Sequence, residues 1–257
     1  MSAPERFAAW MAAYQPTDKW GHAYHYHPRS DAHSKALCRF ILEDLLESCA
    51  PLREQAARGE IAYGINVAHA WPDGKIKTHD LALGRPTTPH PEPSEVPGIA
   101  RAEEFREVLL ACEAKSAMTE HAKAQPRIFD ELSSSHEIVH KGRRDAIAAG
   151  VTVVNIAETF VSPTRNQRRG KRLEVTTHRQ PQVTGRMVAH LRGLGIRDAI
   201  GEVGFEAYCT IVIDCDNQAG VRLWTAAPAP QPGDRDHYAT FLDRLVRIYS
   251  ERFARLA

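Results

Sequence analysis

The sequence predicts an α/β fold, a mixed central sheet flanked by helices. Short β-branched apolar runs recur along the chain, and they alternate with segments whose apolar residues return every three or four positions. Two of the runs meet at Pro72-Asp73-Gly74, a tight-turn signal that makes them a hairpin.

In chain order, residues 5–14 are expected to form a short helix, followed by the His- and Tyr-rich stretch WGHAYHYHPRSD with its turn at Pro28. A long helix is expected from about Ala32 to Arg58. Leu37, Phe40, Ile41, Leu45, Cys49 and Leu52 form its buried face, Ser30 or Asp31 can cap it, and Gly59 follows its end. IAYGINVAHAW and KIKTHDLALG are the hairpin strands. In the second, alternation puts Ile76, Thr78, Asp80 and Ala82 on one face. Residues 85–98 contain five prolines and read as an exposed loop. VLLACEAKS is a buried strand with Leu109, Ala111, Glu113 and Lys115 on one side.

A helix over 119–140 and the strand VTVVNIAETF then imply a parallel crossover. Beyond the basic segment SPTRNQRRGKR come a helix near Thr184–Gly193, the strands EAYCTIVID and VRLWTA as a second hairpin, and a Pro-rich linker. A terminal helix from about Asp236 to Leu256 has Phe241, Leu242, Leu245, Ile248, Tyr249 and Phe253 on its apolar side.

Composition bounds the possibilities. The 257 residues are 43% hydrophobic and 25% charged, ordinary for a globular chain. The net charge of +1 excludes a polycation, so contact with nucleic acid requires local clusters. The five cysteines lack any CxxC spacing and point to reduced, buried thiols. No segment nears the roughly 20 apolar residues of a spanning helix, so a cytoplasmic location and no membrane partner are expected.

Glu113 and Lys115 interrupt an apolar strand. Burying a carboxylate costs several kcal/mol unless a cation compensates. Asp80, on a neighbouring strand, supplies a second acid. Two hard carboxylates and a lysine at a sheet edge suit metal-assisted phosphodiester hydrolysis: Asp80 and Glu113 would bind Mg²⁺, and Lys115 would orient water and offset phosphate charge. The plainer alternative is a salt-bridged strand edge, with Asp80 a solvated hairpin residue.

The order THDLALG, CEAKS, helix and VTVVNIA resembles the PD-(D/E)XK nuclease superfamily over roughly residues 30–160. The resemblance implies an αβββαβ restriction-endonuclease-like core and Mg²⁺-dependent cleavage of nucleic acid, usually double-stranded DNA. Many members are restriction or other defence nucleases. His27-Pro28 and Asp31-Ala32 ahead of the first core helix are also similar to defence nucleases activated by cyclic oligonucleotides. The sequence contains a literal Pro72-Asp73, but Asp-Gly fits a hairpin turn, so Asp80 is the expected catalytic acid. Many members carry an extra acid early in the first core helix. Here Lys35 stands near that place and Glu43 follows two turns later, which leaves that ligand unassigned.

Other constellations compete. His136-Glu137-Ile138-Val139-His140 is a formal HExxH, the pattern of a zinc metallopeptidase, with Glu158 a conceivable third ligand. Lys141-Gly142 and Ser133–Ser135 bracket it closely. His22, His25 and His27 match no named ligand set. Residues 165–172 hold five basic side chains, Arg165, Arg168, Arg169, Lys171 and Arg172, an electrostatic footprint for a phosphate backbone. Asn166, Gln167 and Gln180 are candidate base readers.

The expectation is therefore one nuclease domain over 1–257. Its core spans about 30–160, and an elaboration over about 165–257 serves DNA contact or oligomerisation. Asp80, Glu113 and Lys115 are catalytic, Mg²⁺ is the cofactor, and the assembly is a homo-oligomer, a dimer or higher, because cutting both strands usually takes two sites. The terminal helix or the hairpin at 205–226 could supply its interface.

Overall fold

The computed structural model describes residues 1–88, 94–168 and 172–254. Helix α1 (Ala3–Ala13) leads to α2 (Ala32–Ser48) and α3 (Ala50–Ala57), then to the hairpin strands β1 (Ala62–Ala70) and β2 (Ile76–Pro86). The short β3 (Ala100–Arg101) precedes β4 (Phe105–Ala117), α4 (His121–Gly142) and β5 (Ile147–Asn155). After β6 (Thr159–Val161), β7 (Val175–Thr177) and α5 (Gln182–Leu191) come β8 (Ala207–Cys215), β9 (Val221–Leu223) and α6 (Tyr238–Phe253).

Seven strands form one mixed sheet in the order β3-β1-β2-β4-β5-β8-β9. The β1–β2 and β2–β4 pairs are antiparallel; β4–β5 and β5–β8 are parallel, each parallel pair spanned by a helical crossover. Helices α1, α2 and α6 cover one face through Phe7, Leu37, Ile41, Phe241 and Leu245, packed with Leu81, Cys112 and Val151. Helices α4 and α5 cover the other through Ile128, Leu132 and Met187, packed with Ala82, Ala111 and Ala148. The sheet is thus apolar on both sides, which is why β5 reads as an unbroken buried run. No helix among the described residues is long and apolar enough to cross a membrane.

Two expectations change. The long helix over 32–58 is two helices. Cys49 is extended (φ −108°, ψ 95°), because the ring of Pro51 cannot share a helix with the carbonyl four residues earlier and instead opens the first turn of α3. VTVVNIAETF is not one strand. The Asn155 side chain donates to the Met118 and Cys215 carbonyls and accepts from the Ala157 and Cys215 amides, ending β5, and residues 159–161 leave to pair with β7. The segment beyond residue 165 also contributes to the main sheet itself, since β8 pairs with β5 and β9 with β8. The expected apolar side of α6 is largely buried within the chain, at Phe241, Leu245, Ile248, Tyr249 and Phe253.

Candidate active site

The site begins with a break in strand alternation. Asn66 has φ 55°, a left-handed value uncommon outside glycine. Ile65 packs toward the α2 side of the sheet, whereas Val67, two residues on, packs toward the α4 side. The partner strand turns over with it. Leu81 faces the α2 side, while His79 lies edge-on against Trp71, which belongs to the α4-side core. The pairs Ile65–Leu81 and Val67–His79 bracket the reversal, so Asp80 sits at the twist, opposite Asn66. The expected common face of Ile76, Thr78, Asp80 and Ala82 therefore breaks at Asp80.

This reversal changes who meets Glu113. Regular alternation would turn Lys77 to the opposite face from Asp80. Instead Lys77 lies on the α4 side and its Nζ is 2.9 Å from Glu113 Oε2. Lys115 Nζ is 2.7 Å from Glu113 Oε1, and Ser135 Oγ donates to Oε2 from α4 at 3.2 Å. Asp80 stands just past the last β2–β4 ladder pair, Leu81–Cys112, and its Oδ2 accepts from the Ala114 amide at 2.8 Å. Asp80, Glu113 and Lys115 are thus brought together. The salt bridge of the plainer alternative is present, but Asp80 is a half-buried carboxylate hydrogen-bonded to the Ala114 amide and not a freely solvated hairpin residue.

The two acids are shifted apart. Burial, and then the charge of Glu113, push Asp80 up to about 6. Burial also works against the charge of Glu113, but Lys115 and Lys77 outweigh it and hold that carboxyl below its ordinary range. Lys115 loses hydration too, yet Glu113 keeps its ammonium more strongly protonated than usual. Lys115 is therefore a fixed positive charge and not a proton acceptor. Burial and Lys77 push the enclosed His79 down to about 4, and neither of its ring nitrogens has a partner among the described residues.

Asp80, Lys115, Arg127, Glu131, His33 and Tyr26 line a cavity of about 350 Å³. A larger one, about 700 Å³, opens at the carboxyl ends of β5 and β8 among Glu158, Asp214, Asp216 and Trp224. The smaller is the better candidate, since Asp80 with its raised pKa lines it together with Lys115, the lysine that Glu113 holds.

Asp73 is exposed in the hairpin turn and accepts from the Lys75 amide, as expected for a turn residue. Lys35 pairs with Asp31, and Glu43 with Arg6 and Arg39, so neither reaches the cluster. Of the basic segment, Arg165 is paired with Glu120 and Glu174; Arg168 and Arg172 are exposed; Arg169 and Lys171 lie outside the described residues. Two expected base readers are engaged within the chain. Asn166 is buried and clasps Ser162 and Glu174, and Gln180 bonds Asn155 and Thr184. Gln167 is exposed.

In the HExxH segment, His136 and His140 turn inward, against Phe205 and onto Glu206, while Glu137 is exposed and paired with Lys141. His22 meets the Arg168 carbonyl, His25 the Met11 carbonyl, and His27 the Arg29 amide. Among the described residues no group of three or more His, Cys, Asp or Glu is placed to hold a metal; the Asp80–Glu113 centre is a pair. All five cysteines are unpaired and buried.

Sequence reasoning missed Lys77, Glu131 and Ser135. The glycine-like conformation at Asn66, which redirects Lys77, leaves no trace beyond the residue type. No family model, no curated protein and no solved structure matches the chain.

Proposed function

We propose that this chain is a metal-dependent endodeoxyribonuclease of the PD-(D/E)XK type, with a restriction or related defence role on double-stranded DNA. One observation carries the reading: Asp80 and Glu113 lie side by side at the twist of β2 and the end of its ladder with β4, with Lys115 2.7 Å from Glu113. The order of helix, antiparallel hairpin, strand, helix and parallel strand is that expected of the restriction-endonuclease-like core, which supports it.

The donor set fits Mg²⁺. Both groups are hard oxygen donors, and two carboxylates crowded together, one pushed up to about 6, favour added positive charge. When bound, the ion supplies Lewis-acid polarisation of the phosphate and a more acidic water. Asp80 and Glu113 would hold it. Lys115, permanently charged, offsets the negative charge that grows on the phosphate and orients the attacking water. Lys77 neutralises Glu113 from the other side and must yield part of that contact when a metal is held. Exposed Arg168 and Arg172 offer phosphate contacts, with Arg169 and Lys171 in the same stretch of sequence. Cutting both strands would take two copies of the chain.

The test is a digest of plasmid DNA with purified protein. We expect cleavage with Mg²⁺, none with chelator, and a loss of at least about 100-fold in Asp80→Ala. An Asp80→Ala protein that cuts like wild type would sink the assignment.

A further inference from the structure

Helix α4 presents a stripe to this site. Arg127, Glu131 and Ser135 are spaced four apart, so they lie along one face of the helix. Ser135 Oγ donates to Glu113; Glu131 Oε2 is 3.3 Å from Lys115 Nζ; Arg127 donates to Glu131 Oε1 at 3.0 Å. The ammonium of Lys115 is therefore suspended between two carboxylates from different elements, Glu113 of its own strand and Glu131 of the crossover helix. Glu131 also lines the cavity that contains Asp80 and Lys115.

The arrangement addresses a problem specific to lysine. Its charge rides on a flexible stem with about 2 kcal/mol of rotamer entropy, so one anchor leaves the ammonium free to swing. Glu113 is a poor sole anchor, since the nuclease reading asks the same carboxylate to hold a metal. Glu131 carries no such demand, and Arg127 balances its remaining charge.

We infer that Glu131 is a positioning residue, which holds the Lys115 ammonium against the reacting phosphate while Glu113 is engaged elsewhere. The inference rests on the proposed nuclease function. Glu131 touches neither the metal nor the substrate in this role and acts only through Lys115.

Steady-state cleavage of a DNA duplex with Mg²⁺ tests it, using wild type, Asp80→Ala, Lys115→Ala, Glu131→Ala, Glu131→Asp and the Lys115→Ala/Glu131→Ala double variant. Glu131 is partly exposed on a helix surface, so its variants should match the wild-type unfolding midpoint. We expect Glu131→Ala to lower kcat about tenfold or more with KM for DNA little changed, Glu131→Asp to recover part of the loss, and the double variant to be no worse than Lys115→Ala alone. Wild-type kcat in Glu131→Ala, a loss confined to KM, or a full additional loss in the double variant would overturn the role of Glu131 while leaving an Asp80-dependent nuclease intact. A wild-type protein without Asp80-dependent cleavage would overturn the nuclease reading, and the role of Glu131 with it.

Discussion

Asp80 carries the most direct residue-scale consequence. Its carboxyl is pushed up to about 6 in the folded chain, above the ordinary aspartate range near 4 that holds when unfolded. A group raised on folding favours the fold in its protonated form. Its contribution is full below about pH 4 and is lost as pH rises through about 6. Metal-free protein should therefore lose on the order of 2 kcal/mol from this one group between pH 4 and 7. Asp80→Asn, which is neutral throughout, should flatten that part of the profile and raise the denaturant midpoint at pH 7. Equal midpoints for the two proteins at pH 7 without metal would refute the burial argument. Mg²⁺ should stabilise wild type at pH 7 and leave Asp80→Asn nearly unaffected, because the ion favours the charged acid. Asp80 could be chosen from sequence because it borders the apolar run Leu81–Leu83, whereas Asp73 lies in an Asp-Gly turn. Lys77 and Glu131 could not. One reaches Glu113 only because the strand turns over at Asn66, and the other resembles any glutamate on a solvated helix face.

At the scale of elements, the site depends on how the β1–β2 hairpin is clamped to α4. The last residue of that helix, Gly142, is packed so closely on the Trp71 ring that a Cβ would overlap its carbons. Trp71 closes the hairpin and stacks edge-on with His69 and His79, so the contact fixes the strand that carries Lys77 and Asp80 against the helix that carries Glu131 and Ser135. Gly142→Ala should cost about 1–3 kcal/mol, as overpacking does, since a buried indole has no open space to enter. The measurement is the urea midpoint, and an unchanged value would mean that the hairpin slides to make room. Periodicity located most of these elements, and it located the parallel crossover that sets β4 beside β5. It failed where a single residue overrides the period: Pro51 splits the first long helix, Asn155 ends β5, and Asn66 reverses the hairpin's faces. Such residues act through backbone conformation or a few side-chain hydrogen bonds, to which a hydrophobic period is blind.

Across the whole molecule, another buried carboxylate joins parts of the chain that are far apart in sequence. Glu206 is fully enclosed and accepts from Arg197 and Arg252 at 2.6 Å, from the Ala148 amide at 2.8 Å and from His140 at 3.1 Å. It thereby ties α4, the start of β5, the segment before β8 and α6 into one unit. Burial alone would raise its pKa, but His140, the Ala148 amide and Arg252 reverse that and hold it below the ordinary range. The sign is opposite to that of Asp80. Stability from Glu206 is present above the usual glutamate range and is lost as pH falls below about 4. The two acids thus oppose each other on the acid side, one favouring the fold as it takes up a proton and the other weakening it. Removing Glu206 has the larger consequence, because Arg197 is only 1% exposed and would keep its charge with no carboxylate beside it. Glu206→Ala should cost about 3–5 kcal/mol, the range for breaking a buried pair by deleting one partner. Adding Arg197→Met should recover part of that cost, since it withdraws the stranded charge. Chemical denaturation of the single and double variants decides the matter, and a double variant no more stable than Glu206→Ala would show that Arg197 is content with the Arg144 and Ala146 carbonyls it already holds.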